Sequence, residues 1–515
     1  MMLHSIPSTT WILLALAVLF IVVYLWSQPN QNQSKIGMAN RRLGSSAKFS
    51  KSLSAHRIKD ARTNLHPSAS EIGPGLPLGR IEAGTIYQGW RQCAVQVQGP
   101  GRGKTSAQVI PHAVAAPGAL VVTSNKPDGI WEIIAERMFK GNVIIFDPTN
   151  ILNRENNVTS LFNIIGMVRS STDAEKIGAI FEAATHGEGS SEGNVNAHFD
   201  LMGSKVIGAL MLAANLSGKS DDAVFGWAMR SEEDEPAAIL EEHGFPKQAE
   251  TLLGLKRQPS DTRGSVWATA QRCVSPFEHD EYLRTLTTES GDEVFDPTNF
   301  ANSTDTLILL GSKKGGSSSA LVSALVWDVF RSAEREARKT ENGRLRVPLV
   351  IELDEVGNAV NLPELPEWYS YAGSLGIVFS AYFQSASQGK RTYGDTGMNE
   401  LFGAASVSVY GGGGSEESFL SSMAKLVGSY DHQFTTHSSS YNHRSGQGRS
   451  SSTQIQQRDI LSASDLATLP QGKMFVRTGD GEVGVVDAGY WFKNEGLVTR
   501  IEPQMKKLKE SLKAH

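Results

Sequence analysis

A glycine-rich segment between a predicted strand and a predicted helix constrains the fold of this chain more than any other feature. It reads Gln98-Gly-Pro-Gly-Arg-Gly-Lys-Thr-Ser106, after the apolar run Cys93–Val97 and before the helical stretch Ala107–Ala115. Such a loop directs backbone N–H groups at one point, and the helix N-terminus adds partial positive charge. The order of strand, loop and helix therefore predicts a phosphate-binding loop in an α/β sheet.

The residues of this loop are those that bind a nucleotide together with Mg²⁺. The candidate ATP-binding residues are Gly99, Gly101, Gly103, Lys104, Thr105 and Ser106. Lys104 can reach the β- and γ-phosphates, and the Thr105 hydroxyl can ligate Mg²⁺. The usual spacing would place a glycine where this chain has Gln98. The alternative is a plain Gly/Pro turn followed by a chance Gly-Lys-Thr.

Two further polar groups follow predicted strands. Asp354 and Glu355 come directly after Leu349–Leu353, and Gln384 follows the next strand. Asp354 would hold Mg²⁺, Glu355 would polarise the attacking water, and Gln384 would orient that water or sense the γ-phosphate. Glu355, Gln384 and Lys104 form the candidate catalytic set, whereas Asp354 and Thr105 are the candidate Mg²⁺ ligands. The alternatives are solvated acids and an ordinary loop amide.

Apolar runs separated by helical patterns predict a parallel α/β sheet. The predicted strands are Cys93–Val97, Ala119–Thr123, Val143–Phe146, Thr306–Leu310, Leu349–Leu353, Gly376–Tyr382, Ser406–Tyr410, Met474–Arg477 and Val483–Asp487. Residues 151–300 interrupt this alternation with helical runs and almost no strand signal, so we expect an inserted all-α domain. The nucleotide-binding domain would then comprise 76–150 and 301–495. Within it, the polar low-complexity stretch 435–457 predicts a mobile surface loop, and 496–515 forms a tail.

An uncharged apolar run, Thr10–Trp26, lies near the N-terminus. A helix needs about 20 apolar residues to cross a bilayer, and this run is close to that length. Several Lys and Arg follow the run and none precedes it, which by the positive-inside rule places the remainder in the cytoplasm. We therefore expect a single-pass anchor at 1–27 in the bacterial cytoplasmic membrane, followed by a flexible basic linker at 28–75.

Composition excludes some classes of protein. The 515 residues carry a formal net charge of −5, which argues against a protein that coats nucleic acid with its whole surface. Only two cysteines are present, Cys93 and Cys273, which excludes a disulfide scaffold. The sequence shows no zinc-ligand spacing and no Ser-His-Asp order.

From about Pro77 to Trp491 the chain resembles the conjugative type IV coupling proteins, in the actinobacterial form of the TraG/TraD-like branch. The resemblance rests on PLGRIEAGTIYQGW before the loop, GPGRGKTSAQVIPHAV at the loop, and LVIELDEVGNAVNLPELPEWYSYAGSLGIVFSAYFQSASQGKRTYG beyond it. Lys104 and Thr105 match the Walker A pair, Asp354 and Glu355 the Walker B pair, and Gln384 the glutamine after the next strand.

This resemblance implies a RecA-like P-loop NTPase with an inserted all-α domain and an N-terminal transmembrane helix. It implies a homo-hexameric ATPase at the membrane that uses ATP and Mg²⁺. The ring would receive single-stranded DNA with its relaxase from the relaxosome and pass both to a type IV secretion channel. Alternatives are a double-stranded DNA translocase of the segregation or plasmid-spread type, and a catalytically weak docking adaptor for a secretion system.

The chain departs from the family pattern in places. Many relatives have two membrane spans, and some carry an arginine before the glutamine, which Trp368–Gly376 lacks. Arg391 and Arg272 are the remaining candidates for an arginine that acts on a neighbouring subunit. Candidate DNA contacts are Lys313, Lys314, Lys390 and Arg391, and the acidic run Glu232–Glu235 suits a basic protein partner.

Overall fold

The computed structural model describes residues 46–54, 72–153, 160–185, 194–287, 294–311, 316–442 and 446–511. The predicted anchor at 1–27, most of the predicted linker, and the lysines at 313 and 314 lie outside these ranges.

Thirteen strands form two sheets in the described part of the chain. Their bounds are β1 Leu76–Ile81, β2 Gly84–Gln88, β3 Ala94–Val97, β4 Leu120–Ser124, β5 Val143–Phe146, β6 Thr306–Leu310, β7 Leu349–Leu353, β8 Ile377–Phe383, β9 Val407–Tyr410, β10 Ser429–Asn442, β11 Gly446–Asp459, β12 Lys473–Thr478 and β13 Val483–Asp487. Eleven form one sheet in the order β2-β1-β13-β12-β9-β3-β8-β7-β4-β6-β5. The seven strands from β9 to β5 are parallel, as predicted.

The helices fall into a framework set and an inserted set. The framework helices are α1 Ser46–Ser52, α2 Ile110–Ala115, α3 Ile130–Arg137, α12 Ser317–Lys339, α13 Leu365–Tyr371, α14 Ala386–Ala404, α15 Glu417–Val427, α16 Ala463–Ala467 and α17 Glu495–Ser511. The inserted helices lie between β5 and β6: α4 Ser171–Thr185, α5 Asn194–Ser217, α6 Asp221–Met229, α7 Glu235–Glu242, α8 Pro246–Lys256, α9 Ser260–Cys273, α10 Asp280–Leu283 and α11 Pro297–Ala301.

The parallel strands are covered on both faces. Every residue of β4, β7 and β8 is buried, as expected when helices cover both faces of a parallel sheet. Alternate side chains enter different cores because successive strand residues point to opposite faces. Val121 and Ile351 pack in the core that includes α12 and the inserted helices. Val122 and Val350 pack in the core that includes α2, α3 and α17.

Helix α5 is the most apolar of the long described helices. Within it, Ala197–Ser217 is the one described helix long and apolar enough to cross a membrane, with a mean hydropathy of 1.3. The same stretch is 61% buried inside the fold. It crosses α4 so closely that a Cβ on Gly208 would lie 2.0 Å from the carbonyl oxygen of Ala174. In this structure α5 therefore forms the centre of the helical insertion.

Four further strands extend the parallel sheet beyond β9, and each of them pairs antiparallel with its neighbour. The hairpin of β1 and β2, which the sequence did not predict, pairs with β13, and β12 joins β13 to β9. The last two predicted strands are thus present, but β12 runs antiparallel to both of its neighbours, β9 and β13. Two adjacent strands can pair in this way because β12 and β13 are joined by a short turn rather than by a crossover helix.

The low-complexity stretch at 435–457 differs from the loop that we expected. Ser429–Asn442 and Gly446–Asp459 pair along their whole length as a two-stranded antiparallel ribbon, from Ser429 opposite Asp459 to Asn442 opposite Gly446. A polar composition offers no core to bury, but it does not prevent two strands from satisfying each other's backbone N–H and C=O groups.

Candidate nucleotide-binding site

The glycine-rich loop leads from the end of β3 into the helix that begins at Thr105. Gly101 and Gly103 have φ angles of 73° and 83°, in the left-handed region that favours glycine. A Cβ on Gly103 would also lie 2.6 Å from the ring of Tyr490. Both glycines are therefore required by the path of the loop. Gly99 is required for a different reason, because a Cβ there would lie 2.7 Å from the carbonyl oxygen of Gly413.

Gln98 is accommodated by a run of glycines after the neighbouring strand. Its side chain is buried and its Nε2 donates to Gln96 Oε1 at 3.1 Å. The residue beside it, Gly411, begins the run Gly411–Gly414 that follows β9. A Cβ on Gly411 would lie 2.5 Å from the Gln98 side chain. The Gln98 side chain therefore fits because Gly411 has no side chain at this position.

Arg102 fixes the loop to the same neighbouring segment. Its Nε donates to the carbonyl oxygen of Gly411 at 2.7 Å, and its Nη2 donates to that of Leu469 at 2.6 Å. A Cβ on Gly412 would lie 2.2 Å from the guanidinium. The Arg102 charge is therefore bound to backbone carbonyls.

The acid pair meets the loop because its strand is near. β8 lies between β3 and β7, and the carboxyl ends of these parallel strands share one edge of the sheet. The Lys104 ammonium lies 2.7 Å from Glu355 Oε1 and 3.0 Å from Asp354 Oδ1. The Thr105 hydroxyl donates to Asp354 Oδ2 at 3.4 Å. The loop and both acids therefore line one site.

Glu355 has an unusual backbone conformation. Its φ angle is 65°, and the other described non-glycine residues with positive φ are Asn150 and Asn153. Asparagine tolerates this region, whereas glutamate adopts it rarely and at a cost in energy, often at functional sites. The Glu355 side chain is held by Gln384, whose Nε2 donates to Oε2, and by Asn358 Nδ2 at 3.2 Å.

The charges in the site shift one another's pKa values. Burial alone would raise the pKa of Glu355. The positive charge of Lys104, the hydrogen bond from Lys104 and the hydrogen bond from Gln384 together lower this pKa to about 2. Burial raises the pKa of Asp354, and Lys104 opposes this only in part. Burial would lower the pKa of Lys104, but the two carboxylates outweigh it and raise this pKa. Glu355 and Lys104 are therefore charged at neutral pH.

The cleft above these residues has a volume of about 450 Å³. All of the predicted site residues line this cleft, and several residues that were not predicted line it too. The complete lining is Gln98, Gly99, Pro100, Gly101, Arg102, Gly103, Lys104, Thr105, Ser106, Ser124, Lys126, Asp128, Asp354, Glu355 and Gln384. The additional wall comes from the end of β4, which pairs with β7. The signal for it was the polar stretch Ser124–Asp128 directly after a predicted strand.

The donor atoms fit a magnesium ion. Mg²⁺ prefers oxygen ligands at about 2.1 Å in an octahedron, so adjacent ligands lie about 3 Å apart. Thr105 Oγ1 and Asp354 Oδ2 are two such oxygens at 3.4 Å from each other. These two residues would hold the ion. Where the structure describes side chains, no separate group of His, Cys, Asp and Glu suited to another metal occurs.

Other candidate residues lie away from the cleft. Arg272 pairs with Asp200 at 3.0 Å within the helical insertion, and Lys390 pairs with Asp395 at 2.9 Å. Arg391 is exposed on α14, outside the residues that line the cleft.

The acidic run of the insertion is partly neutralised by its neighbours. Asp234 contacts Lys256 at 2.5 Å and Glu235 contacts Lys219 at 3.2 Å. Glu232 lies 3.9 Å from Arg263. This surface is therefore less negative than its sequence indicates.

Residues 348–471 match a family model described as the TraM recognition site of TraD and TraG. This match confirms the resemblance to the TraG/TraD-like coupling proteins. The matched segment begins before β7 and includes Asp354, Glu355 and Gln384 as well as the two-stranded ribbon.

Solved structures show the same fold. The bacterial conjugative coupling protein TrwBdeltaN70, in its unbound monoclinic form, has a TM-score of 0.57 and 15% identity, over 80% of this chain and 88% of that one. The plasmid coupling protein TrwB in complex with ADP and Mg²⁺ has a TM-score of 0.55 and 16% identity, over 78% and 85%. Its complex with the non-hydrolysable ATP analogue ADPNP has a TM-score of 0.56 and 16% identity, over 78% and 86%. No curated protein matches the chain.

Proposed function

We propose that this chain is a coupling ATPase that uses ATP hydrolysis to pass single-stranded DNA, with its relaxase, into a type IV secretion channel. The observation that carries this proposal is the convergence of Lys104 on both Asp354 and Glu355, beside Thr105, at a glycine-rich loop. The match of residues 348–471 to a TraD and TraG family model supports the conjugative role.

The residues of the cleft have separate roles in this proposal. The loop from Gly99 to Ser106 binds the phosphates of ATP, and Thr105 and Asp354 hold Mg²⁺, which neutralises charge on the phosphates. Glu355 directs a water at the γ-phosphorus. A P–O bond forms to that water and the bond to the β-phosphate oxygen breaks, giving ADP and inorganic phosphate, while the proton of the water moves towards Glu355.

Lys104 connects nucleotide binding to the basicity of Glu355. Lys104 provides the strongest attraction that lowers the pKa of Glu355 to about 2. When its ammonium turns to the phosphates, Glu355 loses this attraction and becomes a better proton acceptor. Gln384 donates to the other carboxylate oxygen and keeps the side chain in place. The site is therefore arranged so that its general base is activated by the bound nucleotide.

The remaining expectations are part of the same proposal. The anchor at 1–27 and the linker at 28–75 would hold a homo-hexameric ring at the cytoplasmic face of the membrane, and 496–515 would form its tail. The nucleotide-binding domain comprises 76–150 and 301–495, and the all-α domain 151–300. The segment 348–471 supports contact with a relaxosome protein, because the matching family model is described as a recognition site.

The test is ATP hydrolysis by the full-length chain in lipid nanodiscs, with and without single-stranded DNA. Lys104→Ala and Glu355→Gln should each abolish most of the turnover. Lys425→Ala is the matched control, because Lys425 is exposed on α15 away from the cleft. Equal, negligible rates in the wild type and both site variants would contradict the proposal. Stimulation by duplex DNA alone would instead favour a double-stranded DNA translocase.

A further inference from the structure

A second lysine lies on the wall of the cleft opposite the glycine-rich loop. Lys126 follows β4, and its backbone N–H donates to Ser124 Oγ at 3.2 Å while that hydroxyl donates back to the Lys126 carbonyl at 3.2 Å. The same strand is tied to the acid pair, because Thr123 Oγ1 donates to the Asp354 carbonyl at 3.0 Å. The position of Lys126 relative to the acids is therefore set by the sheet.

Two ammonium groups converge on one carboxylate oxygen. Lys126 Nζ lies 3.4 Å from Glu355 Oε1, the oxygen that Lys104 contacts at 2.7 Å. The Lys126 side chain is 41% exposed, against 13% for Lys104. Lys126 therefore has room to move into the cleft, and it starts beside the residue that would direct the attacking water.

Few of the positively charged side chains that line the cleft are available to contact the phosphates of ATP. Arg102 is bound to the carbonyls of Gly411 and Leu469. Residues 356–383, between the acid pair and Gln384, contain neither lysine nor arginine. Among the residues that line the cleft, Lys104 and Lys126 are thus the cations available to the phosphates. Lys104 approaches from the loop, whereas Lys126 approaches from the side of Glu355, where the γ-phosphate would end.

We propose that Lys126 is a catalytic residue that contacts the γ-phosphate of bound ATP and neutralises charge on it during transfer to water. This inference rests on the proposed ATPase function. In that role Lys126 provides, from within the same chain, the positive charge that other phosphoryl-transfer enzymes take from an arginine. Its ammonium remains beside Glu355 after Lys104 has turned to the phosphates.

The test compares ADP with an ATP analogue, because only the analogue carries the γ-phosphate that Lys126 would contact. In the full-length chain, Lys126→Ala, Lys126→Arg and the control Lys425→Ala are compared for affinity to ADP, affinity to a non-hydrolysable ATP analogue, and kcat. Lys126→Ala should lower kcat on the order of 100-fold, as for loss of one charge-stabilising donor. The same variant should bind the ATP analogue about tenfold more weakly, a loss of ~1.4 kcal/mol, while its affinity for ADP stays unchanged. Lys126→Arg should restore most of both losses.

The outcomes separate this inference from the proposed function. A wild type that hydrolyses ATP, with a Lys126→Ala variant that is equally active or that loses ADP and ATP-analogue affinity alike, would overturn the role of Lys126 alone. A wild type that binds neither nucleotide would overturn both proposals. An unchanged thermal unfolding temperature for Lys126→Ala, as its exposure predicts, excludes misfolding as the cause of any loss.

Discussion

The crossing of helices α4 and α5 gives a stability test with a built-in control. A Cβ on Gly208 would lie 2.0 Å from the Ala174 carbonyl oxygen, and one on Gly178 would lie 2.1 Å from that of Ser204. Since non-bonded heavy atoms settle at roughly 3.5 Å, Gly208→Ala must push the two helices apart by more than about 1 Å. Overpacking of this kind costs about 1–3 kcal/mol.

Alanine also favours a helix over glycine, and this gain must be subtracted. The gain is about 1 kcal/mol, so Gly208→Ala should destabilise α5 by up to about 2 kcal/mol. Gly254 provides the matched control within the same insertion. It lies inside α8, and the nearest atom to its Cβ position is 3.8 Å away. Gly254→Ala should therefore stabilise its helix by up to about 1 kcal/mol.

The two variants should thus change stability in opposite directions. Amide hydrogen exchange of the full-length chain measures the local stability of each helix. The exchange rate changes about tenfold for each ~1.4 kcal/mol of local stability. Amides of α5 should exchange faster in Gly208→Ala, and amides of α8 should exchange more slowly in Gly254→Ala. Equal stabilisation by both alanines would refute the close crossing of α4 and α5.

Three other predictions concern the sheet and the cleft. Tyr382→Phe removes the 2.6 Å hydrogen bond to Oε2 of the buried Glu352, and thermal unfolding should show a loss of about 1–3 kcal/mol. Gly411→Ala should weaken binding of an ATP analogue several-fold through its contact with Gln98, and adding Gln98→Gly should restore it; no recovery would contradict the packing. The pKa of Glu355 is lowered from 4.5 to about 2, so its carboxylate stabilises the fold above pH 4.5 by about 3 kcal/mol. That contribution is lost as the pH falls through 2, so the difference in unfolding temperature between wild type and Glu355→Gln should narrow from pH 7 to pH 3.

The parallel part of the sheet could be predicted because six of its seven strands are fully buried, and the edge strand β5 is half-buried. Such strands appear in the sequence as short apolar runs, and Thr306–Leu310 and Leu349–Leu353 were predicted with their observed bounds. The edge hairpin was not predicted. β1 contains Gly79 and Arg80 and is only partly buried, so its pattern is weak. Strand direction at the C-terminal end was also beyond the sequence pattern, since periodicity carries no information on direction.

The candidate site likewise contains residues that could be predicted from the sequence and residues that could not. Residues within one motif, such as Lys104 and Thr105, could be predicted because their spacing is local. Lys126 carries no motif of its own, and only the pairing of β4 with β7 brings it to Glu355. The left-handed backbone of Glu355 has no sequence signal either, because glutamate is not a residue that favours it.

Gln98 illustrates how a departure from a motif can be offset elsewhere in the fold. From the sequence alone, this residue departs from the usual glycine spacing of the loop, and a catalytically weak adaptor was one of the alternative functions. β9 pairs with β3, so Gly411–Gly414 runs directly beside the start of the glycine-rich loop. Gly411 leaves the volume that the Gln98 side chain fills, and its carbonyl binds Arg102. Since Lys104 still reaches both acids in this arrangement, Gln98 no longer argues against an active site.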